Sequence, residues 1–170
     1  MYIGRMKHLC VAFFLLPQVS VAQKVTRAVE PFSHVVYLAT NEVTVKNFAL
    51  AKSLAVSVNF RAIDQTPYVY LCANGDPIGP HDYAAFIDGK DTVAAYSTGA
   101  QAGLTAVVTS GVVPPHEYLL RKEDLQNLAQ MHVTQIIISH YTGFQVVDIP
   151  EKSQGKVGAW AAALLNAMGH

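Results

Sequence analysis

Charged residues are scarce in this sequence. Only 14% of its 170 residues are Asp, Glu, Lys or Arg, and 12 basic residues are balanced by 12 acidic ones. Proteins that bind nucleic acid cluster Lys and Arg to neutralise the phosphates, and the sequence has no basic stripe or run. The composition therefore predicts a protein without a nucleic-acid partner.

Cysteines and metal-binding spacings are also scarce. The chain has two cysteines, Cys10 and Cys72, and its seven histidines show none of the spacings of local metal sites, such as His-x-x-x-His. We therefore predict no metal site and no cofactor. The neighbours of Cys72 are typical of a strand, which favours a buried, unreactive thiol over one that pairs with another molecule.

No apolar run is long enough to span a bilayer, which takes about 20 residues. The N-terminus instead has Arg5 and Lys7, then the apolar residues 9–16, then the small residues Ser20 and Ala22. This order is typical of a bacterial signal peptide. We expect cleavage after Ala22, with an uncleaved anchor as the alternative. The mature chain, residues 23–170, should then form one globular domain, periplasmic or secreted, with no stable membrane insertion.

Alternating apolar and polar residues dominate the mature chain up to about residue 113. This period of two predicts strands, whereas residues 23–33 resemble an irregular lead-in. Turn residues separate the segments, and Asp88-Gly89-Lys90 has the composition of a hairpin turn. The predicted strands are residues 34–40, 43–50, 54–60, 68–73, 83–87, 92–97 and 104–113.

The last third changes period. The spacing of Leu125, Leu128, Ala129 and His132 predicts a helix of about three turns, with Arg121 or Lys122 as a poor N-cap. Strands 134–140 and 144–149 follow, joined by residues 141–143, and a second apolar stripe from Val157 to Met168 predicts a C-terminal amphipathic helix. The order predicts an α+β fold. We expect an antiparallel β-meander, which could be strongly curled, with a short helix, a β-hairpin and the last helix packed on one face.

Catalytic signals are weak. Ser153 and Lys156 match the Ser-x-x-Lys spacing of some serine hydrolases, but the other motifs of those enzymes are missing and Ser153 is better placed as a helix cap. His81-Asp82 and His116-Glu117 lie in loops, where a histidine beside a carboxylate could act as a general base. Adjacent residues of an extended chain point apart, however, so neither pair forms a dyad by spacing alone.

Tyrosines at strand ends and turns are more suggestive, because tyrosine contributes contact area at low entropic cost. Ordinary sheet packing, with the hydroxyl at the rim, is the alternative interpretation. The candidate binding residues are Tyr68, Tyr70, Tyr83, Tyr96 and Tyr141. We therefore expect a non-catalytic exported module that binds an envelope or extracellular protein. A small exported hydrolase using His81, Asp82, His116 or Glu117, and a carrier of a small apolar ligand, are the alternatives.

Overall fold

The computed structural model describes seven segments of the chain: residues 25–29, 34–41, 43–47, 54–73, 82–101, 116–140 and 143–169. Ten strands and two helices lie within them. In chain order they are β1 (Val25–Val29), β2 (Val36–Thr40), β3 (Val43–Asn47), β4 (Leu54–Ile63), β5 (Thr66–Ala73), β6 (Tyr83–Ile87), β7 (Thr92–Gln101), β8 (His116–Leu119), α1 (Lys122–Leu128), β9 (Gln135–His140), β10 (Gly143–Asp148) and α2 (Gln154–Ala167), with a 3₁₀ turn, Glu151–Ser153, before α2.

The strands form one antiparallel sheet in the order β1-β2-β4-β5-β8-β7-β6-β9-β10, and β3 pairs with β4. The predicted α+β fold is confirmed. Meander order holds within β1–β5, but β6 to β8 lie in reverse order, so that β5 pairs with β8 and β6 pairs with β9. The sheet curls strongly, because Cα atoms of β10 and β4 approach within 8 Å although six strand pairings separate them.

A β-bulge joins β2 and β3 along one edge of β4. Ala39 is opposite Arg61 and Val43 is opposite Val58, so the pairing register along β4 shifts by one residue between these two pairs. At this bulge the Thr40 hydroxyl accepts a hydrogen bond from the Phe60 N–H at 3.0 Å, and the Asn59 amide donates to the Thr40 carbonyl. Side chains therefore satisfy backbone groups that the extra residue takes out of the ladder.

Two hairpin turns follow from local chemistry. Asp64 and Gln65 have φ values of 47° and 67° and form a two-residue loop, because Ile63 pairs with Thr66. A two-residue loop with positive φ at both positions matches the right-handed twist of the flanking strands. The predicted Asp88-Gly89-Lys90 turn is confirmed: Gly89 has φ 92°, and the Asp88 carboxylate accepts hydrogen bonds from the N–H groups of Lys90 and Asp91.

The concave, inner face of the sheet and the two helices enclose the core. Along β4, Val56, Val58 and Phe60 are buried while Ser57, Asn59 and Arg61 are partly exposed, as the alternation predicted. Helix α2 contributes Val157, Ala161 and Leu164 to the same cluster, and Trp160 packs at its margin. Burial of this apolar surface is the main term that stabilises the fold.

The helices differ in detail from the prediction. Helix α1 spans seven residues and ends at Leu128, one turn early, since residues 129–131 form a turn that meets α2. Its N-cap is Arg121, which makes no cap bond and instead forms an ion pair with Asp124 at 2.7 Å. Ser153 occupies the N-cap position of α2, but its side chain makes no cap hydrogen bond.

The lead-in prediction was wrong, because Val25–Val29 forms β1 and pairs along its whole length with β2. The pattern was missed because Arg27 lies on the same face as Val25 and Val29, which breaks the apolar alternation. The predicted signal peptide and the predicted strand 104–113 lie outside the described residues. Within the described part, no helix combines the length and hydropathy needed to cross a membrane.

Candidate binding surface

Four of the five predicted binding tyrosines lie on the outer, convex face of the sheet. Their positions alternate with core residues: Tyr68 and Tyr70 flank Val69, Tyr83 precedes Ala84, and Tyr96 follows Ala95. Successive side chains on a strand point to opposite faces, so these tyrosines point away from the core. Tyr141 lies outside the described residues.

Strand pairing aligns three of these tyrosines in one row. Tyr68 is opposite Leu119, Leu119 is opposite Tyr96, and Tyr96 is opposite Tyr83. Neighbouring strands lie about 4.8 Å apart, so the row crosses four strands over about 14 Å. We call these four residues, Tyr68, Leu119, Tyr96 and Tyr83, the tyrosine stripe.

The middle of the tyrosine stripe is open to solvent. Tyr96 is 62% exposed and Leu119 is 42% exposed, while Tyr68 and Tyr83 are half-buried. A large apolar pair left in water on a well-packed strand is more informative than an isolated exposed side chain, because it contributes nothing to the core. The stripe therefore has the exposure of a contact surface.

A second row on the same face extends the apolar surface. Ala94, Ala85, Ile137 and Val146 lie opposite one another across β7, β6, β9 and β10. Val146 is 44% exposed, and Phe144, two residues earlier on β10, is 68% exposed. The outer face is thus apolar from the tyrosine stripe to the last strand, with small residues at its centre.

Arg61 and its neighbours close the other end of the tyrosine stripe. Arg61 is opposite Tyr68, and its guanidinium lies 4.2 Å from the centroid of the Tyr70 ring and 5.1 Å from that of Tyr37. Its Nε donates to the Asn59 side chain at 3.1 Å. Cation–π contacts of this kind hold the cation against the aromatic rings, so one end of the stripe carries a fixed positive charge.

Tyr70 differs from the other candidates because it is buried under this cluster. Its hydroxyl donates a hydrogen bond to the Glu117 carboxylate, whose other oxygen accepts from the Thr98 hydroxyl at 2.8 Å. Burial first, and then the bond to Glu117, raises the pKa of Tyr70. Tyr70 therefore fixes Arg61 and Glu117 rather than offering its own ring to a partner.

The catalytic candidates do not converge in the described part of the chain. The loop prediction for His116 and Glu117 was wrong, because both lie in strand β8. His116 is buried on the inner face, where desolvation lowers its pKa, whereas the Glu117 carboxylate accepts a hydrogen bond from Tyr70 on the outer face. Asp82 lies before β6, where its carbonyl accepts a hydrogen bond from the Ser97 N–H at 2.9 Å, and His81 lies outside the described residues. Among described residues, no group of three His, Cys, Asp or Glu side chains could hold a metal.

Two further features of the described residues carry a thiol or a carboxylate. Cys72 is half-buried opposite Ser57 rather than fully buried as expected. A shallow polar cleft of about 430 Å³ lies between the Asp88–Asp91 turn and the end of α1. The Asp88 carboxylate in that cleft accepts hydrogen bonds from the N–H groups of Lys90 and Asp91, which hold it in the turn.

Sequence reasoning missed Leu119 and Phe144 as members of the outer face. Alternation placed Arg61 on the solvent face, because it follows the buried Phe60, but its alignment with Tyr68 depends on the hairpin register. No family model matches this chain, and neither a curated protein nor a solved structure matches it significantly. The argument for function therefore depends on the geometry of the outer face.

Proposed function

We propose that this chain is an exported, non-catalytic module that binds an envelope or extracellular protein through the tyrosine stripe. The observation that carries the proposal is the exposed pair Tyr96 and Leu119, which lie opposite each other on adjacent central strands. The proposed export depends on the N-terminal signal sequence alone, and N-terminal sequencing of the secreted or periplasmic protein tests it: the chain should begin at Gln23.

The shape and chemistry of the stripe suit a protein partner. Tyrosine is enriched in the buried centres of protein interfaces, and charged residues are depleted there. The four stripe residues carry no charge, and β-strands hold them rigidly, so little backbone entropy is lost when a partner covers them. Arg61 at one end provides a charged rim that can orient a partner bearing a carboxylate.

The hydrolase alternative receives no support from this arrangement. His116 and Glu117 point to opposite faces of β8, so they cannot act together on one substrate. The carrier alternative needs a space between the sheet and α2, where the core side chains Leu71, Leu164 and Val157 are packed and buried. A binding surface on the outer face needs no rearrangement of the sheet or of α2.

The test removes the exposed pair and compares it with a matched pair elsewhere. The stripe variant is Tyr96→Ser with Leu119→Thr. The control is Val29→Thr with Val36→Thr, which removes another exposed cross-strand pair, since Val29 is opposite Val36. Thermal unfolding of both variants checks that the sheet is intact.

The mature protein and both variants are immobilised and exposed to envelope extract from the native host. We expect the wild type and the control to retain the same partner, and the stripe variant to bind it about 30- to 700-fold more weakly, which corresponds to about 2–4 kcal/mol for two central contact residues. Equal binding by all three proteins, or a wild type that retains no partner, would contradict the proposal.

A further inference from the structure

Strand β10 has backbone groups that face away from the sheet. The N–H of Ile149 donates to the carbonyl of Thr134 at 2.7 Å, and the same register makes 147, 145 and 143 the residues bonded to β9. In an antiparallel pair the intervening residues direct their N–H and C=O groups to the other side. Phe144, Val146 and Asp148 therefore present theirs at the sheet edge, where β10 has no second hydrogen-bonded strand among the described residues, although part of β10 lies within 8 Å of β4.

The side chains in the middle of β10 do not protect this edge. Natural edge strands are usually blunted by Lys, Pro or a bulge, yet Gly143–Asp148 contains no Lys, Arg or Pro and pairs with β9 in regular register. It exposes Phe144 and Val146 instead. The opposite edge, β1, carries the exposed Arg27. The two edges of the sheet thus differ in their capacity to accept another strand.

We propose that β10 pairs antiparallel with β10 of a second copy of this chain, with the two-fold axis at Gln145. This register places Phe144 opposite Val146 of the second copy, and Val146 opposite its Phe144. All four residues have outward backbone groups, so each of the two cross-strand pairs makes two N–H to C=O bonds. The pairing is isologous, as a closed dimer requires.

Side-chain chemistry selects this register over the next one. An axis at Val146 would place the apolar Phe144 opposite the Asp148 carboxylate of the other copy, whereas the axis at Gln145 places two apolar side chains against each other on the outer face. Aromatic and β-branched residues form favourable cross-strand pairs. The second copy is therefore the partner whose edge matches β10 both in hydrogen bonding and in side chains.

The decisive variant is Val146→Pro. Because the N–H of Val146 faces outward, proline there removes a donor to the second copy and none to β9, and edge strands tolerate proline at such positions. Val146→Lys is the second variant, since an edge lysine opposes strand addition. Val29→Lys, which changes an exposed valine of the other edge strand, is the control.

Sedimentation equilibrium up to about 1 mM protein measures the dimer, since one strand pair buries less area than standard interfaces do. We expect a concentration-dependent dimer for the wild type and Val29→Lys, at least tenfold weaker association for both Val146 variants, and slower hydrogen exchange at the amides of Phe144 and Val146 in the dimer. The stripe variant should still dimerise, which separates this inference from the proposed function. A monomeric wild type, or undiminished association of folded Val146→Pro, would overturn it.

Discussion

Gly158 lies where α2 crosses the end of α1, and it offers the sharpest test of how the helices pack. A Cβ atom at this position would lie 2.5 Å from the carbonyl oxygen of Met131 and 3.0 Å from that of Leu128. Both are backbone atoms, so they cannot rotate away. Gly155, one turn earlier, differs: the nearest atom to its Cβ would be in the His132 ring at 3.9 Å, an ordinary contact.

The two glycines therefore predict opposite effects of alanine. At Gly155 alanine should stabilise the fold by about 0.5–1 kcal/mol, because it reduces the entropy of the unfolded chain and favours the helix. At Gly158 the same gain is opposed by a shift of α2 of several tenths of an ångström, and overpacking of this kind costs about 1–3 kcal/mol. Gly158→Ala should thus lose up to about 2 kcal/mol, and the two variants should differ by about 1–3 kcal/mol.

Urea unfolding of the wild type and both variants measures this difference. For a domain of this size about 1 kcal/mol corresponds to about 2–4 °C in the melting temperature, so Gly158→Ala should melt below Gly155→Ala by about 2–12 °C. The denaturant slope should stay the same, because the exposed area on unfolding does not change. Gly158→Ala at least as stable as Gly155→Ala would refute the reasoning about the close approach of α2.

Three further predictions concern buried polar groups. Burial lowers the pKa of His116, so the unfolded chain binds more protons and the unfolding free energy should fall as pH drops below about 6.5; denaturation between pH 7 and 5.5 should show a smaller fall in His116→Gln. Thr40→Val should cost about 1–3 kcal/mol in urea unfolding, because the buried Phe60 N–H loses its acceptor. Tyr118→Phe should be neutral or stabilising by up to about 1 kcal/mol, since the buried Tyr118 hydroxyl has no hydrogen-bond partner among the described residues. A clear loss of stability in Tyr118→Phe, or none in Thr40→Val, would contradict this account of the two hydroxyls.

Local elements were predictable wherever one face of a strand or helix is buried. The alternation around Phe60 identified β4 because its even-numbered residues pack against the helices, and the glycine of Asp88-Gly89-Lys90 identified a turn that needs positive φ. Strand β1 was not predicted because the charged Arg27 interrupts the alternation of apolar residues on one of its faces. The extent of α1 was overestimated because Ala129 and His132 continue its spacing although the chain turns toward α2 at residue 129.

The order of the strands could not be predicted from the same signals. Pairing of Tyr70 with Glu117 and of Ala85 with Ile137 joins residues about fifty positions apart, and periodicity carries no information on such distant partners. The tyrosine stripe depends on this order. Individual tyrosines could be placed on a solvent face from the sequence, but their alignment with Leu119 emerged only when β8 was found between β5 and β7.

The central claim is that the tyrosine stripe is the surface on which a partner protein is bound. A photo-crosslinking amino acid placed at Tyr96, with one at Val29 as the control, tests it most directly in the native host. We predict a discrete protein adduct, identifiable by mass spectrometry, from position 96 and none from position 29. No adduct at position 96, or the same adduct at both positions, would contradict the account.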